Sequence, residues 1–229
     1  MFSIFLSPDS KAYGRIAGLF YLIIAFCGGF SIMYVPSEIV AEAGAETVRN
    51  LQQQRALFSS GIAVDILTFS IEIVLTAMLY HLFRKVNGTF ASIATYARFA
   101  MIVIMGVNLL VYLTPLVMLE QQASFASGQV EAMVNLAFAI HAQGILVWGI
   151  FFGIHLIFLG WLVRKSAHHP SLLGLLMQIG SLGYLLESIN VFCFSDHPSL
   201  GTLADIFLFV VVVGELGFAI WLLVKGRKA

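Results

Sequence analysis

Charge is what this chain has least of. Twelve basic and twelve acidic residues among 229 make 10% of the sequence, against a 60% apolar share and a mean hydropathy of +0.95. Such composition excludes a soluble domain of this length and points to a helical membrane protein that crosses its bilayer several times. Cysteine is nearly absent. Cys27 and Cys193 form no metal or redox motif and no disulfide framework, so two inert thiols packed as small hydrophobes are expected, the alternative being that they meet at the outer ends of their helices. No stretch rich in Pro, Gly or Ser divides the chain, and residues 1–229 read as one domain. The two halves do not share a polar pattern, which argues against an inverted-repeat transporter. The opening MFSIFLSPDSKAYGRIAG lacks a basic stretch followed by an apolar one, so the first hydrophobic span is expected to be retained.

What is present is length without charge. Apolar runs of about twenty residues or more, enough to cross the hydrocarbon, occur near 15–35, 58–84, 90–119, 132–163, 171–193 and 203–224. The expected fold is therefore all-α, a bundle of six transmembrane helices. Lys11, Arg15, Arg84, Lys85, Arg164, Lys165, Lys225, Arg227 and Lys228 fall at one set of connections, and the other set holds only Arg49 and Arg55 among many acids. By the positive-inside rule both termini are cytoplasmic, and the cell membrane is the expected location. Residues 36–57 are too polar to insert and read as one or two short surface helices with a solvated face, Ser37 serving as an N-cap before Glu38. Asn87-Gly88 marks a tight inner turn that makes spans two and three antiparallel neighbours. His168-His169-Pro170 reads as a second, solvated turn.

Some polar residues stand where lipid would normally forbid them. Asp65, Thr68, Glu72 and Thr76 follow at intervals of three, four and four, so one stripe of the second span carries two carboxylates. A charge near the bilayer centre costs from about 2.5 to more than 10 kcal/mol, so this stripe must face the bundle interior. On the third span, Arg98 is placed either to pair with Glu72 or to snorkel to the headgroups. His141 and His155 share a face of the fourth span fourteen residues apart, a spacing suited to haem ligation, to hydrogen bonding across the bundle or to proton relay. The fifth span carries Gly180, Gly183, Glu187 and Asn190, and the sixth Asp205 and Glu215. By depth, Asp65, Asn108, His141, Glu187 and Asn190 fall in the outer half, where they are expected to converge. They could form a cation site, a proton relay or a metal site with Asp65, His141 and Glu187 as ligands, or a structural network of interhelical hydrogen bonds.

Five stretches carry a family likeness: RIAGLFYLIIAFCGG, GIAVDILTFSIEIVLTAMLYHLFRKVN, RFAMIVIMGVNLL, HAQGILVWGIFFGIHLIFLGWLVRKS and LLGLLMQIGSLGYLLESINVF. Together they resemble a bacterial family of small polytopic membrane proteins defined only as a domain of unknown function, the 4386 family. The resemblance implies six spans, and polar positions matching Asp65, Glu72, Arg98, Asn108, His141, His155 and Glu187. Glu187 departs from it, an Asp being more usual there. It supplies no established activity.

The expected function is therefore transport-like: a buried acidic site of Asp65, Glu72, Arg98, Asn108, His141, Glu187 and Asn190 that handles protons, cations or a small solute. The alternatives are a membrane-embedded metal-dependent hydrolase, a haem protein using His141 and His155, and a structural or regulatory partner. The expected partners are the lipid bilayer and a small solute or cation, with no nucleic acid.

Overall fold

The computed structural model describes residues 7–126 and 128–226. Arg227 and Lys228, counted above among the basic residues, lie outside them, as do the first six residues of the amino-terminal stretch. Among the described residues there are nine α-helices: α1 Lys11–Gly28, α2 Val35–Ile39, α3 Gly44–Gln53, α4 Arg55–Phe83, α5 Gly88–Glu120, α6 Gln129–Lys165, α7 Ser171–Gly180, α8 Leu182–Cys193 and α9 Pro198–Lys225. Six helical stretches are long and apolar enough to cross a membrane: Lys11–Ile39, Arg55–Phe83, Gly88–Glu120, Gln129–Lys165, Ser171–Cys193 and Pro198–Lys225. They match the six apolar runs and extend most of them by a few residues at the ends.

Local sequence explains where each span starts and bends. Ser10 accepts from the Tyr13 N–H at 3.2 Å to begin α1, and the Asn87 side chain accepts from Phe90 N–H at 2.9 Å to begin α5. The first span passes through one π-helical segment, Gly29–Tyr34, before continuing as α2. The fifth breaks at Ser181, where the hydroxyl donates to the Gln178 carbonyl at 2.8 Å and two shorter helices, α7 and α8, meet. Ser37 does not cap the surface helix. It lies inside α2, donating to the Tyr34 carbonyl at 2.7 Å, because the first span runs on past Pro36.

The spans form a closed ring. α1 packs on α4, α4 on α5, α5 on α6, α6 on α7 and α8, these on α9, and α9 back on α1. Glycines set the closest approaches. A Cβ at Gly180 would strike the backbone of Val211, one at Gly183 would lie 2.7 Å from Leu208 N, and Gly160 and Gly174 each face the other's carbonyl. Large side chains such as Phe26, Met33, Tyr96 and Phe209 point outward, where lipid would meet them.

Two apolar cores fill the ring. One, including Tyr13, Leu79, Phe83, Leu159, Phe218 and Leu222, lies toward the end that carries the basic residues. At this end Arg15 donates to the Val224 carbonyl at 3.2 Å, and Lys85 pairs with Asp9 at 2.9 Å. The second core, at the opposite end, gathers Val48, Leu51, Phe58, Tyr112, Val134 and Phe138. The surface helix α3 thus buries Thr47, Val48 and Leu51 over the bundle mouth, so only one of its faces is solvated. His169 is likewise no solvated turn residue. It is buried, bonded to Ser166 Oγ at 2.8 Å, with its ring 4.8 Å from that of Trp221 and 5.1 Å from that of Phe83. Cys27 is half-buried and Cys193 exposed, both as free thiols, so neither is the fully packed residue expected.

Gly180→Ala is expected to destabilise by about 1–3 kcal/mol through overpacking against α9. Gly106→Ala, where nothing lies within 4 Å of the new methyl, is expected to stay within about 0.5 kcal/mol of wild type. Thermal unfolding of the purified protein in detergent compares the two.

Candidate functional site: an ion cluster on five helices

The stripe of α4 is buried throughout. Asp65, Thr68, Glu72 and Thr76 each keep less than a tenth of their surface. The threonine hydroxyls are satisfied within the helix, Thr68 on the Val64 carbonyl at 2.8 Å and Thr76 on the Glu72 carbonyl at 2.6 Å. The carboxylates must find partners on other helices.

Counting from the basic end locates those partners. Tyr21 is ten residues from Lys11, Glu72 eleven from Phe83, Arg98 ten from Gly88, His155 ten from Lys165 and Glu215 ten from Lys225. At 1.5 Å per residue all five lie about 15 Å into the bundle, near the middle of a bilayer. Five helices therefore deliver one polar side chain each to a common level.

Arg98 is the hub. It is 1% exposed, and its Nη2 pairs with Glu72 Oε2 at 2.6 Å, so the guanidinium stays at depth and does not snorkel. Its Nη1 donates to His155 Nε2 at 3.0 Å and, at 3.5 Å, to the Tyr21 hydroxyl. The guanidinium carbon sits 5.2 Å from the Tyr21 ring centroid and 6.0 Å from that of Phe152, within cation–π range. Tyr21 passes the connection on by donating to Glu215 Oε1 at 3.1 Å.

The state of His155 follows from its partners. Its Nδ1 lies 2.8 Å from the Ala94 carbonyl, which can only accept, so Nδ1 carries the hydrogen. Arginine can only donate, so Nε2 offers its lone pair. His155 is a neutral imidazole held at both nitrogens, and it fixes the direction of Arg98.

A second polar group lies toward the acidic end. Asn108 donates to the His141 carbonyl at 2.9 Å, and its amide occupies the space that a side chain at Gly144 would fill. The His141 ring stacks on Tyr112, with centroids 4.3 Å apart. Asp65 adjoins Ser31 of the π-helical segment and lies near Tyr112.

The expected outer site is only partly assembled. Asp65, Asn108 and His141 share this region, but α8, which carries Glu187 and Asn190, packs on α6, α7 and α9 while α4 packs on α1 and α5, so these two stand away from Asp65. Glu187 is half-buried and within electrostatic reach of Asp205. Asn190 organises the turn before α9. It accepts from His197 N–H at 2.8 Å and donates to Asp196 Oδ1 at 3.2 Å, beside Ser195 and Asp196 at φ 53° and 58°.

The geometry bears on the two ligand sets. Among the described residues no three His, Cys, Asp or Glu side chains gather to hold a metal ion, so the set Asp65, His141 and Glu187 is not formed. For the haem pair, both nitrogens of His155 are engaged, by the Ala94 carbonyl and by Arg98, and the His141 ring stacks on Tyr112.

With the cluster in view, comparison with known proteins is informative. The chain matches the family described as domain of unknown function DUF4386 over residues 16–226. It belongs to the DUF4386 family. This DUF4386 protein is also 43% identical, over 79 residues, to an uncharacterized protein of Archaeoglobus fulgidus. That match covers 34% of this chain and 44% of the relative, so the chain spans less than half of that relative's length. No solved structure matches the DUF4386 chain.

Removing the arginine alone is expected to be severe. Arg98→Met leaves Glu72 buried without its partner, a loss of about 3–5 kcal/mol. Arg98→Met with Glu72→Met is expected to recover most of that loss. A double-mutant cycle on thermal unfolding in detergent checks the pair, and an additive result would show that the two side chains are not coupled.

Proposed function

We propose that this protein is a transport-like membrane protein whose central cluster binds and releases a proton. The observation that carries the reading is the charge count at the common level. Arg98 supplies one positive charge, Glu72 and Glu215 one negative charge each when ionised, and His155 is neutral by its hydrogen bonds. A surplus negative charge in an apolar interior is expensive, and one proton removes it. Glu72 is committed to the guanidinium. Glu215, hydrogen-bonded to the Tyr21 hydroxyl and not to the guanidinium, is therefore the carboxyl that gives up and regains the proton.

The surroundings support this reading. Tyr21 both accepts and donates along the line from Arg98 to Glu215, as a relay group does. Arg98 Nε is buried and has no hydrogen-bond partner among the described residues, so the hub retains one open donor. A water or a polar atom of a small solute would satisfy it. On this reading Asp65, Asn108 and His141 form the polar approach from the acidic end. The basic end faces the cytoplasm and the protein sits in the cell membrane.

Reconstituted protein with a pH-sensitive dye inside the vesicles tests the proton role. Wild type is expected to carry protons after an external acid step, and Glu215→Gln to abolish that uptake while keeping its thermal unfolding midpoint. Infrared difference spectra between about pH 5 and about pH 8 should show a protonated carboxyl band in wild type that Glu215→Gln removes. Flux and spectra unchanged by Glu215→Gln would leave the cluster a purely structural network. Orientation is tested separately in a background lacking Cys27 and Cys193. Ala167→Cys is expected to react with an impermeant maleimide only from the cytoplasmic side and Ala126→Cys only from outside.

A further inference from the structure

At the basic end, the last turns of α4 and α6 and the connections that follow them line an open cleft of about 510 Å³. Leu82, Lys85 and Val86 form one wall, and Trp161, Lys165 and His168 contribute to the other. Two lysines and an imidazole line the cleft, and among the described residues that line it there is no carboxylate.

The cleft is held in shape. Lys165 Nζ sits 6.0 Å from the Trp161 ring, a cation–π contact that draws the ammonium over the cleft wall. The Trp161 ring is itself braced edge-on by Phe90, with centroids 4.6 Å apart. Ser166 Oγ accepts from the His168 N–H at 3.3 Å and bonds His169 Nδ1 at 2.8 Å, and His169 is packed among aromatic rings. The loop that presents His168 is therefore anchored through its buried neighbours. Lys85 is shared with Asp9, an exposed pair at 2.9 Å and weakly bound, as such pairs are.

We propose that this cleft binds the phosphate headgroup of an anionic phospholipid in the leaflet at the basic end. Cation charge supplies the phosphate contacts, as in basic pockets between transmembrane helices. Trp161 stands at the depth where tryptophan favours the headgroup boundary. Leu82 and Val86 give the lipid's first apolar carbons a wall that a free phosphate ion would not use. The proposal is independent of the proton reading, since the cleft and the ion cluster share no residue.

Native mass spectrometry of the detergent-purified full chain, titrated with phosphatidylglycerol, phosphatidylcholine or inorganic phosphate, tests it. Phosphatidylglycerol is expected to bind in preference to phosphatidylcholine, and Lys165→Gln to weaken it about fivefold. Lys85→Gln should weaken it less, and Asp9→Asn should tighten it by freeing Lys85. Arg164→Gln is the control, because Arg164 turns toward α7 and donates to Gln178 at 2.8 Å; its affinity should equal wild type. Equal binding of the two lipids, or phosphatidylglycerol binding indifferent to Lys165→Gln, overturns the proposal. Inorganic phosphate that competes as well as the lipid at the same concentration overturns the lipid assignment.

Discussion

A guanidinium that never reaches water governs this structure. Arg98 is almost wholly enclosed at the middle of a bundle made of Leu, Phe, Val and Ala. Its desolvation is offset only if charge and lone pairs surround it on several sides. Glu72, His155, Tyr21 and the faces of two aromatic rings provide that surround, and they come from α4, α6 and α1. No single helix pair could do so. The ring of spans closes on this point, and α9 completes it by bringing Glu215 to Tyr21.

Packing and electrostatics reinforce one another here. Between two helices in lipid there is little hydrophobic drive, so association relies on close approach and polar contact. Glycines on α6, α7 and α8 bring backbones together on one side of the ring. On the other side the ion cluster and the Asn108–His141 contact supply the cohesion. Polar groups therefore occupy a belt between two apolar cores, each of which shields it from one end of the bundle. The helix α3 lies over the acidic end with Val48 and Leu51 packed inward, and the aromatic group around His169 packs at the basic end.

The sequence makes depth legible and direction around the ring much less so. Counting residues from the charged ends places Arg98 and Glu72 within a side chain's reach of each other on neighbouring helices, so the pair is one of two readings, snorkelling being the other, and the contact decides between them. The same count assigns Glu187 and Asn190 to the acidic half, but it cannot say that α8 stands away from α4. Tyr21 escapes notice because a tyrosine within an apolar run is unremarkable by type. Only its position, ten residues from the start of α1, aligns it with the other four. His155 looks like a ligand until the Ala94 carbonyl and Arg98 are seen to take both nitrogens. His169 reads as turn chemistry because nothing local announces the rings of Phe83, Phe218 and Trp221 that gather from distant helices.

The hairpin of α4 and α5, joined by only Arg84–Asn87, has a consequence for how the chain is made. At the level of the cluster its charges are Glu72 and Arg98, which emerge from the ribosome close together and can enter lipid as a pair, so the insertion machinery is spared an isolated arginine. Tyr21 is already in place by then, His155 arrives next, and Glu215 comes last of all. The order of the chain therefore supplies the arginine with its carboxylate first, and the second acid of that level, Glu215, with the last helix.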